Sequence, residues 1–187
     1  SGREYSIDCF RQILKEFEGI VVIDEAYADF AGQNALGLLV EFPNLVITRT
    51  LSKSYSLAGL RVGYALSSPE LISILDQARD VYNVDRLAQV AALACLKDRA
   101  YFENTRDQII KERKRMISKL SEWEWKTCPS GANFIFTKPV NRKGETGPTV
   151  AKDLYEFLAT RGILIRYFPQ HDLTSSHVRI SVGNRED

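Results

Sequence analysis

The sequence predicts an α/β protein in which part of a large, mainly parallel sheet precedes a smaller α+β domain. Residues 20–23 form a short β-branched run and residues 45–47 a second apolar run, both typical of strands in such a sheet, and residues 61–66 predict a third strand. Helical patterns precede the first run and separate it from the second, which is typical of an open α/β sheet. We expect the first domain to cover residues 1–98 and the second to cover residues 99–187.

Local signals predict the elements of the first domain. Ser6 is expected to cap a helix over residues 7–17, where apolar residues recur at helical spacing. The strand at 20–23 is uniformly apolar, so we expect it to be buried on both faces. Ser68 and Pro69 have the residue types of a helix N-cap and first helical position, and they predict the start of the next helix.

A series of helical patterns runs from the end of the first domain into the second. Residues 87–96 and 101–120 predict helices, and the charged run at 111–115 is expected to be a solvated face. Thr149 is predicted to cap a later helix. Strands are predicted in three further segments of this domain: residues 132–137, 163–168 and 177–182.

Composition and charge argue against several classes of function. The net charge of +1 gives no bulk attraction to nucleic acid or to an anionic membrane. No apolar run approaches the roughly 18 residues of a membrane span. Cys9, Cys95 and Cys128 have no disulfide or metal-site spacing, so we expect reduced thiols in the cytoplasm and no metal. His171 and His177 lie in or beside a polar loop and are expected to be exposed.

Two ionisable residues follow predicted strands. Asp24 comes directly after the run at 20–23, and Lys53 lies in the loop after the run at 45–47. Open α/β sheets bind ligands beyond the carboxyl ends of their strands, so Asp24 and Lys53 are expected to share one site. A lysine forms a Schiff base when burial or nearby cations lower its pKa. The sequence therefore indicates Lys53 as the covalent anchor of a cofactor.

The residues around Lys53 are suited to hold a phosphate. Thr50 and Ser52 supply hydroxyls, and Arg61 supplies a bidentate guanidinium. A lysine beside such donors, with Asp24 at the neighbouring strand end, points to pyridoxal 5'-phosphate, whose ring nitrogen needs an acidic partner. Structural roles are the alternatives, because hydroxyl residues also form turns and an arginine also forms ion pairs.

Longer segments resemble a known family. TLSKSYSLAG, at residues 50–59, resembles the lysine site of class II pyridoxal-phosphate-dependent aminotransferases. IDEAY, at residues 23–27, resembles the aspartate–tyrosine strand end of the same fold-type I enzymes. Within that family, YNVDRLAQVAAL, PSGANFIF and HVRISVGNRED are similar to histidinol-phosphate aminotransferases, although Val81 stands where many relatives have proline. The resemblance covers essentially the whole chain and implies the fold-type I architecture.

The resemblance implies roles at the cofactor ring. Lys53 would hold the cofactor and move a proton at the substrate, and Asp24 would pair with the ring nitrogen. Tyr27 would hydrogen-bond the oxygen on the ring. The alternatives are that Asp24 caps the loop after its strand and that Tyr27 is a core aromatic.

The resemblance also implies where anions bind. Arg179 would hold the anion next to the reacting amine, and Arg166 is a second arginine for the substrate phosphate. Arg179 is predicted to lie within a strand, where an unpaired charge is costly to bury, so an anionic partner is expected. The cofactor phosphate would be held by three residues: Thr50, Ser52 and Arg61.

The function implied by the resemblance is amino transfer between histidinol phosphate and 2-oxoglutarate, which yields glutamate. The resemblance also implies a homodimer and a role in histidine biosynthesis. An aromatic amino-acid aminotransferase and a threonine-phosphate decarboxylase would share the same site. A non-catalytic aminotransferase-like domain that binds a ligand is the alternative from another class. The chain has no initiator Met and lacks the family's amino-terminal half, so we expect it to be part of a longer protein.

Overall fold

The computed structural model describes residues 2–184, and these fall into two compact units. The first unit is Tyr5–Arg106, and the second combines residues 2–4 with residues 107–184. The division lies inside a helix, whereas the predicted domain boundary lies between residues 98 and 99; that boundary stays a prediction. No helix within residues 2–184 combines the length and the apolar character needed to cross a membrane.

The first unit contains a three-stranded sheet with helices before and after it. The strands lie in the order Val21–Asp24 (β1), Leu45–Thr50 (β2) and Gly63–Leu66 (β3), with β1 parallel to β2 and β3 antiparallel to β2. Short 3-10 turns lie at Ala28–Phe30, Leu36–Val40 and Ala58–Leu60. The helices and strands of this unit are α1 (Ile7–Glu16), β1 (Val21–Asp24), β2 (Leu45–Thr50), β3 (Gly63–Leu66), α2 (Pro69–Ala78) and α3 (Arg86–Lys97). A long helix, α4 (Arg99–Glu122), begins in this unit and ends in the other.

Side-chain caps fix the starts of the helices. Ser6 accepts a hydrogen bond from the Cys9 amide at 3.3 Å, and Ser68 accepts one from the Leu71 amide at 3.4 Å. Each bond satisfies an amide of the first helical turn that has no partner within the helix. Both predicted caps are therefore confirmed.

The core of the first unit lies on one face of its sheet. Ile23 of β1 points into this core, whereas Val22 points to the opposite face and is 60% exposed. The prediction that this strand is buried on both faces is therefore wrong for the described residues. The buried members of the core come from α1, the sheet and the loop between β1 and β2: Leu14, Ile23, Ala35, Leu38, Leu45 and Ile47.

The third strand starts later than predicted. Arg61, assigned from the sequence to the strand, has φ 55° and lies in the left-handed region, which is incompatible with an extended strand. Gly63 is the first strand residue, and a Cβ there would lie 2.9 Å from the Arg49 carbonyl oxygen of β2. Glycine therefore permits the close approach of β3 to β2.

The second unit contains a four-stranded antiparallel sheet, with the strands in the order Lys126–Thr127 (β4), Phe134–Lys138 (β5), Val178–Ser181 (β7) and Arg166–Tyr167 (β6). Its helix packs on the face of the sheet that carries Val178, and Ala151 of the helix is fully buried there. The elements after α4 are β4 (Lys126–Thr127), β5 (Phe134–Lys138), α5 (Pro148–Ala159), β6 (Arg166–Tyr167) and β7 (Val178–Ser181).

Two helix predictions are corrected in this part of the chain. The residue that caps α5 is Gly147, because Pro148 occupies the first helical position and places Thr149 inside the helix. The charged run at 111–115 is not wholly solvated, because Glu112 and Arg113 are buried. Arg113 donates a 2.7 Å hydrogen bond to the Ala132 carbonyl. This long-range contact allows the charged side chain to be buried.

Candidate active site

The carboxyl ends of β1 and β2 meet at one edge of the sheet. Asp24, the last residue of β1, pairs in parallel register with Thr48 of β2. The Glu25 amide donates to the Thr48 carbonyl at 2.9 Å and continues the pairing past the end of β1. The Asp24 carboxylate is exposed and accepts a 2.9 Å hydrogen bond from the Ala26 amide. This edge therefore presents an anion to any ligand that binds there.

The loops that follow the two strands bring Lys53 and Tyr27 together. The Lys53 amine lies 5.5 Å from the centroid of the Tyr27 ring, within the range of a cation–π contact. Lys53 is exposed, and Tyr27 is partly buried where its loop leaves β1. An amine, a phenol and a carboxylate on adjacent loops are groups that can hold and transfer protons.

The two predicted hydroxyl residues are linked to each other. The Thr50 hydroxyl donates to the Val62 carbonyl at 3.3 Å and accepts from the Ser52 amide at 3.1 Å. Thr50 thus shapes the start of the loop that carries Lys53. A contact between either hydroxyl and a cofactor phosphate stays a prediction.

Arg61 closes the same loop in a strained conformation. Its guanidinium donates to the Ala58 carbonyl at 2.9 Å, and its side chain is exposed. Arg61 and Ser56 both have positive φ, which costs a non-glycine residue about 1 kcal/mol or more and is frequent at ligand sites. The phosphate role of Arg61 also stays a prediction.

A partly buried ionic network lies behind these residues, and it was not predicted from the sequence. Glu25 accepts from Arg49 at 2.7 Å and from the Ala35 amide at 2.5 Å, so both of its oxygens are engaged. Arg49 also lies 3.8 Å from the Asp29 carboxylate, which accepts a short hydrogen bond from the Ser54 hydroxyl. A charge two residues after the apolar run of β2 was the available signal.

The network sets the ionisation of its arginine. Burial lowers the pKa of the Arg49 guanidinium, but the hydrogen bond and the charge of Glu25 outweigh burial and raise that pKa above its usual value. Arg49 is therefore a permanent cation. Its charge neutralises a carboxylate that would otherwise be buried alone.

The two arginines predicted for the substrate lie together in the second unit. Arg166 of β6 is the register partner of Arg179 of β7, and Phe136 of β5 pairs with Arg179 on its other side. The Arg179 Nε is buried and has no hydrogen-bond partner among the described residues. An unpaired buried donor is costly, so Arg179 is suited to bind an anion. Neither substrate role is tested by these contacts.

His177 is not exposed as predicted. Its ring stacks on Phe136 at a centroid distance of 4.7 Å, and its Nδ1 is buried without a partner in the described part of the chain. Burial and the nearby charge of Lys138 lower the pKa of His177. The polar loop before it misled the prediction, because β7 carries the ring onto the sheet.

Within residues 2–184, no group of three or more His, Cys, Asp or Glu side chains is arranged to hold a metal ion. The donor set of the first unit is instead an amine, a carboxylate, a phenol, hydroxyls and an exposed guanidinium. Such a set fits a ligand that combines an electrophilic carbon, a basic ring nitrogen and a phosphate.

Comparison with known proteins assigns this arrangement to a family. The chain is 44% identical over 184 residues to the histidinol-phosphate aminotransferase of Syntrophotalea carbinolica, an alignment that covers 98% of this chain and 50% of the relative. The chain therefore spans about half the length of the curated relatives it matches.

Solved structures give the same result. A histidinol-phosphate aminotransferase from Clostridium acetobutylicum superposes with a TM-score of 0.86 at 28% identity, over 100% of this chain and 57% of that one. The enzyme of the same name from Sinorhizobium meliloti, solved in complex with pyridoxal-5'-phosphate, gives a TM-score of 0.85 at 25% identity, over 98% and 50%. The predicted fold-type I architecture is thereby confirmed.

The family model described as "Aminotransferase class I and II" matches residues 1–187. The match includes the strand end with Asp24 and the loop with Lys53, and it agrees with the resemblance inferred from their motifs. On the strength of that match, the chain belongs to the class I and II aminotransferase family.

Proposed function

We propose that the complete protein is a pyridoxal 5'-phosphate-dependent aminotransferase that transfers the amino group of histidinol phosphate to 2-oxoglutarate. The observation that carries the proposal is the Lys53 amine, 5.5 Å from the Tyr27 ring, on a loop beside the strand end of Asp24. Relatives that are 44% and 43% identical and bear the name histidinol-phosphate aminotransferase support the choice of substrate.

The donor set fits the cofactor. Pyridoxal 5'-phosphate, when bound, withdraws electrons from the carbon that bears the substrate amine, so that this carbon can lose a proton. The exposed Lys53 amine takes and returns that proton. The Asp24 carboxylate holds a proton on the ring nitrogen by its negative charge. The Tyr27 hydroxyl hydrogen-bonds the ring oxygen.

Anions are held by separate groups. Arg61 and the Ser52 hydroxyl bind the cofactor phosphate, and the Thr50 hydroxyl joins them by turning its proton from the Val62 carbonyl to the phosphate. Arg179, whose Nε is buried and unpartnered within the described residues, binds the substrate anion, and Arg166 on the neighbouring strand adds a second charge for a phosphate-bearing arm.

A homodimer in the cytoplasm completes the proposal. Apolar side chains lie exposed along α3 and just before it, which supports burial against a second copy. The exposed side chains are Val81, Tyr82, Leu87, Val90, Leu93 and Leu96. Sedimentation of the complete protein checks the dimer, and a monomer at micromolar concentration would contradict it.

Absorbance and a substrate panel test the activity. The complete protein is expected to show the visible band of lysine-bound cofactor, and Lys53→Ala is expected to lose it. Histidinol phosphate should be the preferred amino donor over phenylalanine, and release of carbon dioxide from threonine phosphate should not occur. Preference for phenylalanine or decarboxylation would overturn the substrate assignment, and a wild type without the band would overturn the cofactor assignment.

A further inference from the structure

We propose that a partly buried network behind the candidate site positions the Lys53 amine, an inference that rests on the proposed function. The positioning network consists of four side chains: Glu25, Arg49, Asp29 and Ser54. They act through Lys53 and are positioning residues, because the described hydrogen bonds of the network join its members to one another, to the Ala35 amide and to Tyr64.

Members of the network alternate with site residues along the chain. Glu25 directly follows Asp24, and Ser54 directly follows Lys53. Asp24 and Lys53 are exposed, whereas Glu25 is 9% exposed and Ser54 is 4% exposed. At both positions the site residue is exposed at the edge of the sheet and the residue after it is buried. The contacts of the buried residue therefore determine the position of the site residue beside it.

The first half of the network joins the two parallel strands. One Glu25 oxygen accepts from Arg49 Nη2 at 2.7 Å and from Nε at 3.0 Å. The other Glu25 oxygen accepts from the Ala35 amide at 2.5 Å. The end of β1 is thereby fixed to β2 by a buried, charge-assisted pair.

The second half joins the strands to the Lys53 loop. The Asp29 carboxylate lies 3.8 Å from Arg49 Nη1 and accepts the short hydrogen bond from Ser54. Ser54 and Asp29 are 25 residues apart in sequence, so this bond links the loop after β2 to the loop after β1. Tyr27, whose ring the Lys53 amine approaches, lies on the loop after β1, as Asp29 does.

The loop needs such a link because its backbone is strained. Ser56 and Arg61 both have positive φ within eight residues of Lys53. Strained residues persist where surrounding contacts fix them, and Ser54 is the network member that lies inside the loop. Loss of its hydroxyl should release the Lys53 amine and leave the Glu25–Arg49 pair intact.

The test compares Ser54→Ala with Ser67→Ala in the complete protein. Ser67 donates a 2.5 Å hydrogen bond to the Leu45 carbonyl in the same unit, away from the Lys53 loop. Both variants lose one partly buried hydroxyl bond, so their unfolding midpoints should fall by similar amounts. Asp29→Asn, which keeps an oxygen for Ser54 and loses the charge that faces Arg49, is the second variant on the network.

The first readout needs no cofactor. Limited acetylation of the cofactor-free protein, followed by mass spectrometry, gives the pH profile of Lys53 reactivity relative to the exposed Lys97. Ser54→Ala is expected to raise the Lys53 to Lys97 ratio at least roughly threefold, because an amine released from the Tyr27 ring is more accessible to the reagent. Ser67→Ala should leave that ratio at the wild-type value.

The second readout is kinetic. Ser54→Ala is expected to lower kcat about 10- to 100-fold, because misplacement of a reacting group by about 1 Å has effects of this size. Asp29→Asn should change kcat and the acetylation ratio in the same directions as Ser54→Ala does. If Ser54→Ala does not fold, Asp29→Asn by itself tests whether the network positions Lys53. Equal effects of Ser54→Ala and Ser67→Ala on both readouts would overturn the inference. A wild type without bound cofactor would overturn the proposed function, while the acetylation ratios would still test the network.

Discussion

Arg166 and Arg179 occupy directly opposite positions on the neighbouring strands β6 and β7. Opposite side chains project from the same face of a sheet, and like charges in that position repel. The Arg179 guanidinium lies 5.0 Å from the ring centroid of Phe134 and 5.7 Å from that of Phe168. Its described contacts are therefore with aromatic rings and include no carboxylate. A bound anion would relieve the repulsion and pair the buried donor.

Substitution of these arginines should separate their contributions to substrate binding. Arg179→Gln is expected to weaken binding by about 2 kcal/mol, roughly a 30-fold rise in KM for histidinol phosphate, because a charged hydrogen bond is lost. Arg166→Gln should have a smaller effect, because Arg166 is exposed. Steady-state kinetics measure both, with the exposed loop residue Arg142→Gln as control. An unchanged KM in Arg179→Gln would remove this residue from the site.

Arg49 should matter more to stability than an exposed arginine does. The Arg49 and Glu25 side chains are 15% and 6% exposed, so Arg49→Met leaves a carboxylate buried and unpaired at a cost of about 3–5 kcal/mol. Arg79→Met, which breaks an exposed pair with Asp76, should cost less than about 1 kcal/mol. Urea unfolding measures both changes.

The double variant provides the sharper test of the same pair. Addition of Glu25→Gln to Arg49→Met removes the unpaired charge, so it should recover part of the lost stability. If the losses of unfolding free energy in Arg49→Met and in Glu25→Gln simply add in the double variant, the two side chains do not stabilise each other. That result would also count against a linked network.

Arg113 should stabilise the second unit although it lies in a run of charged residues. It is 7% exposed and donates to the Ala132 carbonyl at 2.7 Å, so Arg113→Met is expected to cost about 2 kcal/mol by leaving that carbonyl without its donor. Lys114, the next residue, is exposed, and Lys114→Met should change stability by less than about 0.5 kcal/mol. Equal unfolding midpoints for the two variants would contradict the structure.

The features that sequence predicted correctly are local ones. Ser6 and Ser68 cap their helices through bonds to an amide three residues later, so the signal and its effect lie in one turn. Strand ends and the family motif were enough to place Asp24 at the end of the first strand and Lys53 in the loop after the second. Thr149 failed for a local reason too, because the neighbouring Pro148 takes the first helical position.

The features that sequence missed depend on distant partners. Arg113 is buried because of a carbonyl 19 residues away, and Ser54 because of a carboxylate 25 residues away. Spacing within a short window carries no information about such contacts, so a charged run reads as solvated. The Glu25–Arg49 pair was missed for the same reason, although both residues stand beside correctly placed ones.

His177 should make the stability of the protein depend on pH. The pKa of His177 in the folded state is lowered, by burial first and by the charge of Lys138 second, whereas the unfolded chain titrates near the ordinary histidine pKa of 6.5. As the pH falls through 6.5, the unfolded state therefore binds a proton before the folded state does, and stability falls. The full contribution is present above this pH and is lost as the pH decreases toward the folded pKa.

The two histidines of the chain allow a matched comparison. Between about pH 7.5 and about pH 5.5, roughly one unit on either side of an ordinary histidine pKa, the unfolding midpoint of the wild type is expected to fall. The midpoint of His177→Gln should fall less steeply, because this variant lacks the titrating group. His171 is exposed, so His171→Gln should keep the wild-type slope. Thermal unfolding at a series of pH values measures the slopes. If both variants retain the same slope, the protonation of His177 is not coupled to folding, and its stacking on Phe136 is packing without an electrostatic consequence.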